Sequence, residues 1–90
     1  MRLISQGGEY DVNYENCQLE TEVLKDGRIS VVATNFLDKF PLATYTKATF
    51  AEKAMKQMWT KYLEVQENPL KVIVAPKIFQ FPREEDLLDG

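Results

Sequence analysis

The stretch that decides the fold runs LETEVLKDGRISVVA, from Leu19 to Ala33. Two segments rich in β-branched residues flank Asp26-Gly27, a pair that is typical of hairpin turns. A three-residue loop from Lys25 to Gly27, with Gly27 in the left-handed conformation, gathers the apolar side chains on one face. It sets these residues opposite one another: Val23 with Ile29, Thr21 with Val31, and Leu19 with Ala33. A two-residue loop would shift the strands by one position and mix the faces, so the three-residue loop is predicted.

A second hairpin is predicted upstream, around Gly7-Gly8. Alternating apolar residues lie on both sides of the two glycines, which suit a two-residue primed turn because glycine accepts positive φ. The resulting pairs are Leu3 with Val12 and Met1 with Tyr14. Pattern and turn therefore agree on an N-terminal hairpin.

Further extended segments follow the two hairpins. Phe40 to Tyr45 predicts a short strand, and Pro41 confines it to a sheet edge or to its own start. Leu70 to Val74 is rich in β-branched residues, and Lys77 to Phe81 extends the pattern until Pro82 ends it.

One amphipathic helix is predicted at about residues 50–66, where Thr49 and Glu52 match a capping box. Asn68-Pro69 ends it, because the residue before proline avoids helical geometry. Its apolar residues recur at steps of three and four and predict one buried stripe: Ala51, Ala54, Met55, Met58, Trp59, Tyr62 and Leu63, with Val65 as a further candidate.

Together these elements predict an α+β fold with a mostly antiparallel sheet of five to six strands, including two N-terminal hairpins. The amphipathic helix packs on one face of this sheet. Residues 1–82 are expected to form a single domain, and residues 83–90 an acidic, flexible tail.

Composition limits the setting and the partners. The 90 residues contain no apolar run of about 18, the length of a transmembrane helix, and no apolar stretch of a signal peptide. Cys17, the single cysteine of the chain, cannot form an intramolecular disulfide, so a cytoplasmic location is expected and a membrane is not. A net charge of −3 argues against a protein that mainly wraps nucleic acid.

The sequence predicts no enzyme, no cofactor and no metal site. It contains no histidine, which removes histidine-based triads, most zinc sites and the commonest general base near neutral pH. Without histidine, Cys17 is interpreted as a half-buried small apolar residue. The carboxylates of the two hairpins alternate with apolar residues and are interpreted as a solvated sheet face: Glu9, Asp11, Glu15, Glu20 and Glu22.

The end of the chain is the first candidate for partner binding. Large apolar residues lie on both sides of an extended stretch, and acidic and apolar residues follow. The candidates are Ile78, Phe79, Phe81, Glu84, Glu85, Leu87 and Leu88. The alternative is that Pro82 folds this segment back over the core.

A basic strip on the helix is the second candidate. Lys47, Lys53, Lys56 and Lys61 would give a shallow nucleic-acid face if aromatic platforms accompanied them. Trp59 and Tyr62 lie on the apolar stripe and are expected in the core. A solvated helix face is therefore the favoured interpretation.

Several segments resemble a known group of proteins. They are Met1 to Gln6, Asp11 to Glu15, Ala43-Thr44-Tyr45 before Glu52-Lys53-Ala54, and Ile78 to Pro82 before an acidic end. In these segments the chain resembles small proteins carried by phages and prophages of Gram-positive bacteria, a group without an assigned activity. The resemblance implies a phage-encoded protein acting in the host cytoplasm and transfers no catalytic residue.

The expected function is a non-catalytic protein-interaction module, a phage accessory protein that binds another protein and can form a homodimer. The alternatives are a nucleic-acid-binding accessory protein that uses the lysine face, and a minor structural or virion-assembly protein.

Overall fold

The computed structural model describes residues 1–67 and 77–88. Its strands and helix are, in chain order, β1 (Arg2–Ile4), β2 (Asp11–Asn13), β3 (Gln18–Val23), β4 (Ile29–Asn35), β5 (Asp38–Tyr45), α1 (Ala48–Glu67) and β6 (Ile78–Gln80). The α+β class is confirmed, but the single sheet is wrong. The strands form two sheets of three, here named the β1 sheet (order β2-β1-β6) and the β4 sheet (order β3-β4-β5). The strand predicted at Leu70 to Val74 lies outside the described residues.

The β4 sheet is an antiparallel meander, and its first register is confirmed. Val23 pairs with Ile29, and the pairing continues through Leu19 opposite Ala33. The Leu24 amide donates to the Arg28 carbonyl at 2.8 Å, which leaves a three-residue loop. Gly27 lies in this loop at φ 90, a conformation that strongly favours glycine.

Strand β5 is an edge of the β4 sheet, as Pro41 predicts. It begins at Asp38, earlier than the predicted Phe40. Its register with β4 shifts between Val31 and Val32, so Leu42 is an extra residue on the β5 side. Leu42 is buried in the core, and the bulge therefore supplies a core side chain.

The register of the N-terminal hairpin is confirmed, whereas its two-residue loop is wrong. Leu3 pairs with Val12 as predicted. The last backbone bond across the hairpin runs from the Ser5 amide to the Tyr10 carbonyl at 2.9 Å, which leaves four loop residues. The Gln6 amide instead donates to the Leu42 carbonyl of β5 at 2.7 Å. Because Gln6 is bonded to the other sheet, it does not pair across its own hairpin.

The β1 sheet is completed by a distant segment. Strand β6 pairs with β1 in parallel, with Leu3 opposite Phe79. Phe81, just after β6, is 1% exposed, and Leu87 is 2% exposed. Leu87 ends a short 3-10 helix, Glu84–Leu87. Residues 83–88 therefore lie against the core and do not form the loose tail that their acidic composition predicts.

Helix α1 packs over β4, β5 and the 3-10 helix. The Ala51 amide donates to the Lys47 carbonyl at 3.4 Å, so Thr49 lies inside the first turn and the predicted capping box is wrong. Among the helix side chains described, which end at residue 64 and so do not include Val65, the buried stripe is narrower than predicted and consists of Ala51, Ala54 and Met58. Trp59 is 47% exposed and Leu63 is largely exposed, so neither is part of the buried stripe.

The Gln6 side chain joins both sheets and the 77–88 segment. Its Oε1 accepts a hydrogen bond from the Thr44 amide at 3.0 Å. Its Nε2 donates to the Pro82 carbonyl at 3.0 Å, and the buried Tyr45 hydroxyl donates to the same carbonyl at 2.7 Å. Burial raises the pKa of Tyr45 well above its usual range, so this hydroxyl stays a donor. These bonds satisfy polar groups along the outer edge of β5.

The β4–β5 turn presents two apolar side chains to solvent. Phe36 is 100% exposed and Leu37 is 99% exposed. Phe36 also has φ 55, the left-handed region that a bulky residue rarely occupies. Neither side chain contributes to the core.

The first prediction concerns Gln6. Replacing Gln6 with alanine should lower the free energy of unfolding by about 1–3 kcal/mol, because it leaves partly buried polar groups without partners. Gln18→Ala, an exposed position on β3, is the matched control and should change it by less than about 0.5 kcal/mol. Urea denaturation measures both variants. Equal effects would contradict the linking role of Gln6.

The second prediction concerns Phe36. Phe36→Gly should raise the free energy of unfolding by about 0.5–1 kcal/mol, because it relieves a left-handed conformation and removes no packing. Leu37→Gly is the control, since Leu37 is equally exposed but is not at positive φ. This control should lower stability by about 0.5–1 kcal/mol. Thermal or urea unfolding that shows a loss for both variants would refute the strain at Phe36.

Candidate binding groove

An open groove lies between α1 and β3. Since α1 packs mainly over β4 and β5, the apolar face of β3 is partly open, with Leu19 half-buried and with Thr21 and Val23 exposed. The groove has a volume of about 350 Å³. Leu19, Thr21 and Ile29 line it from the sheet, and Met55 and Trp59 line it from the helix. We call this feature the β3 groove.

The groove continues along β3 toward the β4–β5 turn. A second depression of about 510 Å³ shares Leu19, Met55 and Trp59 with the first and adds Cys17. A third, of about 340 Å³, also contains Cys17 and reaches Phe36. The β3 groove and these depressions therefore form one continuous concave surface, from Thr21 to Phe36.

The outer edge of β3 lies beside this surface. The Leu24 amide bonds to β4, and hydrogen-bonded and non-hydrogen-bonded pairs alternate along antiparallel strands. The backbone N–H and C=O groups of Leu19, Thr21 and Val23 therefore point away from β4. Within residues 1–67 and 77–88, β4 is the one strand that pairs with β3. This edge can accept a further strand.

The face of β3 opposite the groove is acidic. The side chains of Glu20 and Glu22 alternate with those of Leu19 and Thr21 and so point to the other side of the sheet, while Glu20 also borders the groove. Lys39 of β5 donates to Glu22 at 2.8 Å, and this hydrogen bond raises the pKa of Lys39. The charge of Glu20 adds to the same effect. The strand therefore has an apolar side that faces the groove and an acidic side away from it.

Sequence reasoning places Met55, Trp59 and Tyr62 together in the core, and the structure separates them. Tyr62 is half-buried and packs edge-on against Tyr14, with ring centroids 4.8 Å apart. Met55 is also half-buried and lines the groove together with Trp59. The apolar stripe marks which helix residues are apolar, but it does not show which of them a strand covers.

The predicted partner-binding residues are split between core and surface. Phe81 and Leu87 are buried, so these two side chains cannot contact a partner while the domain is folded. Phe79 is half-buried and packs edge-on against Phe81, with centroids 5.2 Å apart. Glu84 accepts hydrogen bonds from the amide and hydroxyl of Thr46 at 2.6 and 2.9 Å. The remaining candidates are exposed: Ile78, Glu85 and Leu88.

The four lysines of the predicted basic strip lie on or beside α1. Lys47, Lys53 and Lys56 are exposed, and Lys61 is half-buried. The Lys53 ammonium donates to the Leu87 carbonyl at 3.3 Å and so helps to hold the 3-10 helix. Lys56 lines the β3 groove beside Trp59.

Cys17 is half-buried in the continuation of the groove. Its thiol faces the Tyr14 carbonyl, with the two heavy atoms 3.8 Å apart. Burial, with the charge of Glu15 as a smaller contribution, raises the pKa of the thiol. A raised pKa leaves little thiolate at neutral pH, so this cysteine is a weak nucleophile.

Among the described residues, no three His, Cys, Asp or Glu side chains converge so that they could hold a metal ion. No helix in the same ranges is both long and apolar enough to span a membrane.

Comparison with known proteins adds no relative to this description. No protein family, no curated protein and no solved structure matches the chain.

Proposed function

We propose that the chain is a non-catalytic protein-interaction module and that its partner binds in the β3 groove. The observation that carries this proposal is the exposure of Trp59 at 47%, beside Met55 and across from Leu19. Tryptophan dominates protein interfaces energetically, and methionine adapts to varied apolar surfaces. An apolar concave surface lined by these two residues favours binding to another protein.

The setting follows from the resemblance. A small accessory protein encoded by a phage or prophage would act in the host cytoplasm, where a host or phage protein is the natural partner. The resemblance supports this setting, and the groove supports the mode of binding.

The third prediction tests the groove. The wild-type chain, Trp59→Ala and Leu63→Ala are used as baits in cells that carry the phage, and bound proteins are identified by mass spectrometry. Leu63 is the matched control because it is a largely exposed apolar residue of α1 that does not line the β3 groove. The partner is then purified and its affinity is measured for each variant.

Trp59→Ala should lower the affinity for the purified partner by about 30-fold or more, which corresponds to about 2 kcal/mol at an interface hot spot. Leu63→Ala should leave the affinity within about threefold. Thermal unfolding confirms that both variants fold. Equal affinity for all three chains would refute binding in the groove.

Nucleic-acid binding is the second candidate, because one observation favours it. Trp59 is exposed next to Lys56, and an aromatic platform beside basic residues is how single strands are bound. Glu52 lines the same groove and, with the net charge of −3, opposes it. Binding to a labelled single-stranded DNA that falls steeply with salt, and that Lys47, Lys53, Lys56 and Lys61 substitutions abolish, would favour this function instead.

A further inference from the structure

We propose that the occupant of the β3 groove is an extended segment of a partner protein, which pairs with β3 as a fourth strand and alternates apolar with basic side chains. This inference rests on the proposed function and names the chemistry of the partner.

The outer edge of β3 offers free backbone groups to a partner. These are the N–H and C=O groups of Leu19, Thr21 and Val23. An extended peptide satisfies such groups with a ladder of main-chain hydrogen bonds. The six residues of β3 match a partner segment of about five to seven residues.

Helix α1 determines which side chains an added strand can have on the groove side. Ala51, Ala54 and Met58 cover the strands of the β4 sheet, and Met55 and Trp59 lie on the neighbouring flank of the helix. A strand added beside β3 would place every second side chain under this flank. Those side chains would contact Met55 and Trp59, which favour apolar groups, and Glu52 and Lys56 also line the groove.

The acidic face of β3 determines which side chains an added strand can have on the side opposite the groove. The alternate side chains of the added strand would lie beside Glu20 and Glu22. Lys39 reaches Glu22, and the Glu20 side chain makes no hydrogen bond or ion pair among the described residues, although its charge also acts on Lys39. Opposite charges stabilise cross-strand pairs and like charges destabilise them. The outward side chains of the partner must therefore be basic.

The same charges oppose self-association through β3. In the antiparallel registers that overlap most of two β3 strands, Glu20 of one copy faces Glu20 or Glu22 of the other. Acidic side chains on an edge strand are a known means of preventing such pairing. A partner with basic residues fits this edge better than a second copy does.

The test uses three short peptides, each acetylated and amidated. The probe has the alternating sequence KVKFKVK, the second peptide is KKKKVVF with the same composition, and the third is EVEFEVE with reversed charge. Trp59 is the single tryptophan of the chain, so its fluorescence reports binding in the groove. The alternating basic peptide should bind at least tenfold more tightly than either of the others.

Three variants separate the contribution of the backbone from that of the charge. Thr21→Pro removes an N–H that points away from β4 and should lower the affinity for the basic peptide at least tenfold. Thr21→Val keeps the N–H and should leave this affinity unchanged. Glu20→Lys should lower the affinity for the basic peptide and raise the affinity for the acidic peptide. Hydrogen exchange supplies an independent readout, because the Leu19, Thr21 and Val23 amides should be slowed by the peptide.

Each opposite result overturns the inference. Equal binding of all three peptides, or slow exchange of the three amides in the free protein, would exclude strand addition. A dimer in sedimentation experiments that Thr21→Pro dissociates would assign the edge to a second copy. If a purified partner needs Trp59 but is unaffected by Thr21→Pro, the proposed function stands and strand addition is wrong.

Discussion

The contacts of Gln6 along the outer edge of β5 are the constraint on which the rest of the architecture depends. The backbone amide of Gln6 bonds to the extra residue of the β5 bulge, and its side chain bonds to Thr44 and to the Pro82 carbonyl. One residue thereby joins the two sheets and orders the segment that buries Phe81 and Leu87. Because these polar groups are partly buried, each lost partner costs more than the hydrogen bond alone contributes.

As a result, one edge of the β4 sheet is covered and the other is open. Gln6 and the 77–88 segment cover the outer edge of β5. Helix α1 lies toward the same side of the sheet, because it contacts β4, β5 and the 3-10 helix. Strand β3 is left with an apolar side that faces the groove, an acidic side away from it and outward-pointing backbone groups between them. The surface proposed for binding is therefore a direct consequence of where the molecule completes its core.

Local chemistry allowed part of this arrangement to be predicted. The alternation across Lys25 to Gly27 fixes the β3–β4 register, because a slip of one residue would expose every apolar side chain. The pairing of β1 with β6 was not predictable in this way, since parallel partners are joined by no turn. Periodicity predicts Trp59 in the core, because it locates an apolar stripe but does not reveal how many strands lie beneath it. The strain and exposure of Phe36 also leave no periodic signal.

The parallel pairing of β1 with β6 has a consequence for the order of folding. The β4 sheet consists of neighbours in sequence and can form from local contacts, whereas Gln6 and Pro82 are 76 positions apart. Bringing such distant segments together costs loop-closure entropy before any contact compensates for it, so this docking is expected late and slowly. Before this docking, the outer edge of β5 lacks the partners that Gln6 and the 77–88 segment supply, and an unpaired strand edge of this kind favours aggregation.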